Sequence, residues 1–180
     1  MWETLFKRYW LVATLKESPA NTPYSPVLMA SASLLFFILI ILQWYLADIK
    51  QTFNFASSIL AALTLLCSYY VYTFVLLKIF RKANRTLQTL TALLASHIIV
   101  HLFAFPLLVI TPMLAKADMR QVVILIFGVL YLVFTLILTI WQFVVTVHIY
   151  KQALELDNLG ALLASLGLLA CNILTVSFWQ

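Results

Sequence analysis

The chain has 180 residues, 64% of them hydrophobic and only 9% charged, with a formal net charge of +5 and a mean hydropathy of +1.05. Soluble domains average roughly 45–50% apolar and about 25% charged residues, so an ordinary soluble fold is excluded. The expected class is an all-α, polytopic transmembrane bundle, because about 20 apolar residues at ~1.5 Å rise cross the ~30 Å hydrocarbon core.

Residues 1–18, MWETLFKRYWLVATLKES, are too polar to span. At about 100° per residue, Trp2, Leu5, Phe6, Tyr9, Trp10, Val12 and Ala13 gather on one side, and Glu3, Thr4, Lys7, Arg8 and Thr14 on the other. Leu11 and Leu15 interrupt the polar face. Aromatic amphipathicity with basic residues opposite reads as a helix lying in the membrane interface. A helix packed on the cytosolic ends of the bundle has the same pattern, and the pattern does not choose between them. Continuous apolar sequence of the signal-peptide kind is missing from this stretch. Residues 17–26, ESPANTPYSP, then form a hinge broken by Pro19, Pro23 and Pro26, with Tyr24 placed as an interface anchor.

Five spans are expected, at residues 27–47, 57–77, 89–114, 122–150 and 159–179. Trp44 and Tyr45 mark an interface at the end of the first. Pro106 and Pro112 interrupt the third. The fourth is long enough to tilt or project. Asp157 or Asn158 is a candidate N-cap for the fifth.

Alternate connections differ in basic residues. One side carries Lys7, Arg8, Lys16, Lys78, Arg81, Lys82, Arg85 and Lys151; the other carries Lys50, Lys116 and Arg120. The positive-inside rule puts the N-terminus in the cytoplasm and the C-terminus outside. With all connections short, no extramembrane domain is available for a catalytic site. The basic residues lie in clusters beside apolar spans, which fits anionic headgroups better than nucleic acid.

HIIVH, residues 97–101, places His97 and His101 on one helical face. Ile98 stands where the general-base glutamate of a zincin would be, and a zinc site needs further ligands. His148 is the remaining histidine. His97 falls about 13 Å and His101 about 19 Å from the cytosolic edge, with His148 within a turn or so of that edge. Metal or haem binding by these residues is one reading. Hydrogen bonding to neighbouring helices is the other and is preferred, with Pro106 kinking the helix just beyond His101. No cofactor is expected.

Glu3, Glu17, Asp48, Asp118, Glu155 and Asp157 all fall at ends or loops, so no carboxylate is placed for proton-coupled transport. Lys78, Arg81, Lys82 and Arg85 form the densest basic cluster, a topology signal or a contact for acidic lipids or a cytosolic partner. Gly160, Ala164 and Gly167 make a small-residue stripe for close helix packing, within the bundle or between copies. Cys67 and Cys171 read as packing residues. No phosphate loop, nucleophile elbow or carboxylate pair is present in the sequence.

A short amphipathic lead before five closely spaced spans, N-in and C-out, resembles the Yip1-type membrane domain in its small bacterial form. The stretch WQFVVTVHIYKQALELDNLGALLASLGLLACNIL is similar to the ending of such proteins. TPYSP stands near the place of their Gly-Pro motif, without the glycine. The resemblance implies a non-enzymatic protein of the bacterial inner membrane that binds or organises lipids and other membrane proteins, including copies of itself. Phe6, Trp10, Lys78, Arg81, Lys82 and Arg85 would form its lipid or partner surface, and Pro106, Gly160, Ala164 and Gly167 its helix-packing positions. The competing functions are redox or metal chemistry at His97 and His101, and small-molecule permeation at the Pro106 kink.

Overall fold

A computed structural model describes residues 2–47, 55–117 and 120–179. Lys50, Asp48 and Asp118 lie outside these described residues. The architecture is all-α: α1 Trp2–Ala13, α2 Pro26–Ala47, α3 Phe55–Ile79, α4 Thr86–Ala115, α5 Val122–Leu154 and α6 Asn158–Trp179. The last five are long and apolar enough to cross a membrane, which is the build of an integral membrane protein.

Local chemistry explains the helix ends. Ser25 Oγ accepts the Leu28 N–H (3.3 Å) ahead of Pro26 as first residue of α2, the usual pairing of a hydroxyl cap with an N1 proline. Asp157 is the N-cap of α6, its Oδ1 accepting the Gly160 N–H at 2.9 Å. At their C-termini, α1, α3 and α5 turn through left-handed Leu15, Arg81 and Glu155, with φ of 63°, 58° and 57°. In each turn the next residue's N–H closes back: Lys16 to the Leu11 carbonyl, Lys82 to Leu77 and Leu156 to Lys151. Glycine normally takes this conformation, so these three turns carry no sequence flag.

The five long helices form a closed ring. α2 packs on α4, α4 on α5, α5 on α6, α6 on α3, and α3 back on α2; α3 and α4 also touch across the interior. The half of the ring near the α3–α4 and α5–α6 turns is solid, filled by Leu77, Leu90, Leu93, Leu94, Ile149 and Tyr150. Here the Tyr150 and Thr73 hydroxyls pair at 2.9 Å, which satisfies two polar groups with no access to water. This half is called the basic end below, since Lys82 and Arg85 meet Glu155 beside it at 2.5 and 2.6 Å.

α1 docks on the outside of α4 and α5. Tyr9, Val12 and Ala13 are buried, and Trp10 rests against Phe103 and Trp141, with ring centroids 6.0 and 6.3 Å away. Trp141 Nε1 donates to the Ala13 carbonyl at 2.8 Å. The hinge is held in turn by Arg8 on the Asn21 carbonyl (2.7 Å) and by Gln88 on the Thr22 carbonyl (3.0 Å). Of the two readings of the amphipathic face, packing on the bundle accounts for Tyr9, Trp10, Val12 and Ala13, while Phe6 stays 60% exposed.

One expectation changes. α4 continues as helix through Pro106 and Pro112; each proline removes one N–H from the ladder, which membrane helices tolerate because neighbouring groups re-satisfy the backbone. Pro106 is exposed, facing away from the bundle, so it is not a packing residue. α4 and α5 also extend past the last described residue of α2. Gln43 of α2 bonds the His101 carbonyl of α4 (3.3 Å). From that level α2 is described for about one more turn, to Ala47, and α4 for about four, to Ala115. The resulting α4–α5 hairpin exposes Val122, Leu125, Phe127, Leu132 and Phe134, and its two helices are joined there by Thr111 and Tyr131, hydroxyls 2.9 Å apart.

Candidate functional site

The other half of the ring encloses a cavity of about 460 Å³ lined by all five long helices. Phe36, Gln43 and Trp44 come from α2, Tyr69 from α3, His97 and His101 from α4, Gln142 and Thr146 from α5, and Ser165 and Asn172 from α6. Toward the basic end it stops at Tyr69, His97 and Thr146, below which Thr73, Leu94 and Tyr150 are completely buried. Its rim residues Thr139, Leu169, Ile173 and Ser177 are exposed. The cavity therefore opens along the α5–α6 seam and toward the ends of α2 and α6.

The three histidines have three separate fates. Nδ1 of His97 lies 2.8 Å from the Tyr69 hydroxyl and 3.2 Å from Gln142 Nε2. An amide nitrogen only donates, so Nδ1 is the acceptor and the ring proton sits on Nε2. Nε2 then donates to Thr146 Oγ1 at 2.9 Å, whose own proton goes to the Gln142 carbonyl, also at 2.9 Å. Both nitrogens of His97 are committed to the helix network, and Nε2 has no lone pair to present to a metal or haem iron.

His101 packs its ring edge-on to Phe36 (centroids 5.8 Å) and faces the cavity. Among the described residues its imidazole makes no hydrogen bond. His148 is turned away altogether: its Nε2–H donates to the Glu17 carbonyl at 3.0 Å and pins the hinge to α5. The trio is not brought together, and among the described residues no three His, Cys, Asp or Glu side chains are grouped to hold a metal ion.

The remaining expected positions divide. Gly167 and Ala164 form the α3 contact: the Tyr72 hydroxyl donates to the Ala164 carbonyl at 2.6 Å, and a Cβ at Gly167 would overlap the Tyr72 hydroxyl. Gly160 belongs to the Asp157 cap, where its N–H is held, rather than to that contact. In the basic cluster, Lys82 and Arg85 are taken up by Glu155, and Arg85 also donates to the Ala153 carbonyl (3.2 Å). They link the α3–α4 turn to the α5–α6 turn. Lys82, and then Arg85, hold the Glu155 carboxyl below the usual carboxylate range. Lys78 and Arg81 stay exposed. Cys67 is exposed and Cys171 half-buried, both as free thiols.

Sequence reasoning passed over Gln43, Tyr69, Gln142, Thr146 and Asn172. The signal was present in the amides: Gln43, Gln142 and Asn172 lie within apolar spans, where an amide needs a partner. Asn172 finds one in Ser68 (2.9 Å) and so ties α6 to α3. No family model, curated protein or solved structure matches this chain.

Proposed function

We propose that this protein is a non-enzymatic membrane protein that binds membrane lipids, with the ring cavity as its binding site. The single observation that supports the reading is a cavity of about 460 Å³ with mostly apolar walls and a few inward polar groups, open to the lipid side along α5 and α6. Ligand sites of about 300–1,000 Å³ commonly combine apolar walls with a few placed polar groups. The cavity is blind at the basic end, which favours holding a molecule over conducting one. Membrane-protein partners, including a second copy, belong to the same proposal through the exposed face of α1 at Phe6 and the exposed cations Lys78 and Arg81.

Under this reading the protein resides in a bacterial inner membrane with its basic end in the cytoplasm, on the positive-inside argument, and the Yip1-type resemblance is part of the same proposal. An alkaline phosphatase fusion at Gln180 tests the orientation: it is active if the C-terminus is outside and silent if it is not. Binding is tested on protein extracted in mild detergent, by native mass spectrometry of the wild type beside Thr139→Trp, which fills the rim. A retained lipid in the wild type, reduced in the variant, supports the proposal. Lipid-free wild-type protein, unable to take lipid up from bicelles, overturns it.

A further inference from the structure

We infer that the cavity selects an uncharged, hydroxyl-bearing lipid, with His101 and Gln43 holding the hydroxyl. This rests on the cavity being a lipid site, as proposed above, and goes further by naming the head-group chemistry.

Charge comes first. Among the described residues no Asp, Glu, Lys or Arg lines the cavity. An ionised head group would lose its hydration with no opposite charge among these residues to meet it, which is unfavourable. Phosphate-bearing and quaternary-ammonium heads are disfavoured on this ground alone.

Hydrogen-bond capacity narrows the class further. His97, Tyr69 and Thr146 are spent on one another, as described above. His101 is different: its imidazole faces the cavity and bonds nothing among the described residues, so one donor and one acceptor are free. Gln43 gives one N–H to the His101 carbonyl, and among the described residues its amide oxygen, also on the cavity wall, is not bonded. Gln142 likewise gives one N–H to His97, and among the described residues its oxygen is not bonded. Among the described residues the open valences are therefore of both kinds: amide oxygens and an imidazole nitrogen that accept, and the imidazole N–H with the remaining amide N–H groups of Gln43, Gln142 and Asn172 that donate. A hydroxyl answers both, donating to an amide oxygen or imidazole nitrogen and accepting the N–H. A group with carbonyls only, such as a quinone, takes N–H groups and leaves the amide oxygens unpaired, which disfavours it.

The apolar walls suit the rest of such a molecule. Phe36 and Trp44 flank the polar groups, and Leu169 and Ile173 line the exposed seam through which an acyl or isoprenoid tail reaches the surrounding lipid.

The test uses the full chain in nanodiscs of phosphatidylcholine and four probes: dioleoylglycerol, a polyprenol, a long-chain quinone and dioleoyl phosphatidic acid. One-to-one binding is read by native mass spectrometry. Dioleoylglycerol, the polyprenol or both should bind at least tenfold more tightly than the quinone and the phosphatidic acid, and which of the two alcohols binds identifies the source of the hydroxyl. His101→Phe should abolish that preference, and His101→Gln, which keeps a donor and an acceptor, should restore part of it. Thermal unfolding without ligand confirms that both variants are folded; if the Phe variant is not, Gln43→Leu takes its place. Preferential binding of the quinone or phosphatidic acid, or a preference unchanged in the His101 variants, overturns the head-group inference and leaves the lipid site standing. Binding of none of the four, with no lipid retained from the membrane, removes both.

Discussion

The Tyr69 hydroxyl and Nδ1 of His97, 2.8 Å apart, join α3 to α4 across the inside of the helix ring. The same imidazole reaches α5 through Thr146 at 2.9 Å. One side chain therefore ties three helices at the floor of the cavity, and the packing reading of HIIVH applies to its first histidine. The second, His101, is left to face the cavity. Tyr69→Phe removes one donor and leaves Gln142 on Nδ1, and should lower stability by about 1 kcal/mol. His97→Ala leaves Thr146 and Tyr69 without their partner and opens a void, and should cost about 2–5 kcal/mol. Thermal and denaturant unfolding in detergent measures both; equal effects would mean that the network does not converge on His97.

Docking of α1 depends on Trp10 and Trp141 more than on Phe6. Trp10→Glu puts a charge against Phe103 and Trp141 and should release the helix, seen as faster tryptic cleavage at Lys16. Trp141→Phe deletes the N–H bonded to the Ala13 carbonyl and should accelerate cleavage to a lesser degree, for a loss of about 1 kcal/mol. Phe6→Glu should leave the cleavage rate unchanged, since Phe6 is 60% exposed, and should instead weaken any membrane or partner contact made by that face. Equal protection of all three variants would show that α1 is held by the hinge alone.

Glu155 makes the link between the two basic-end turns sensitive to acid. Lys82 and then Arg85 lower its pKa in the folded chain. A depressed carboxylate contributes stability that is complete above its unfolded pKa and is lost as pH falls through the lower folded value. The wild type should therefore exceed Glu155→Gln in melting temperature at pH 7. The gap should begin to close below the ordinary glutamate pKa of about 4.5 and vanish in stronger acid. The gap at pH 7 should be small, since the group is solvent-exposed. A gap that stays constant to low pH would mean that the ion pairs do not form.

Close approach of α3 and α6 rests on Gly167. Gly167→Ala places a methyl into the Tyr72 hydroxyl and should destabilise by about 1–3 kcal/mol, the usual range for overpacking. Tyr72→Leu in the same chain should recover part of the loss, because it removes the colliding ring end. The double-mutant cycle in unfolding free energy checks the coupling, and strict additivity would place Gly167 outside the contact.

Much of this protein follows from sequence alone. Apolar runs of span length dictate membrane helices wherever they occur, because a backbone in hydrocarbon must satisfy its own hydrogen bonds. The expected spans at 27–47 and 159–179 accordingly match α2 and α6 closely. Asp157 was legible as a cap because capping is local chemistry within one turn. The three non-glycine left-handed turns at Leu15, Arg81 and Glu155 were not legible: the tertiary links around them, such as Lys82 and Arg85 on Glu155, are non-local.

Only tertiary structure decided which polar residues share a cavity. Tyr69 and His97 lie on different spans, as do Gln43 and His101, and helix periodicity states which residues share a face but not which face meets which. Nor does spacing separate His97 from His101, which are i and i+4 on one face. The depth of each in the ring separates them. His97 lies where α3 crosses to meet α4 and finds Tyr69, Gln142 and Thr146, while His101 lies one turn further along, where the helices part and the cavity opens.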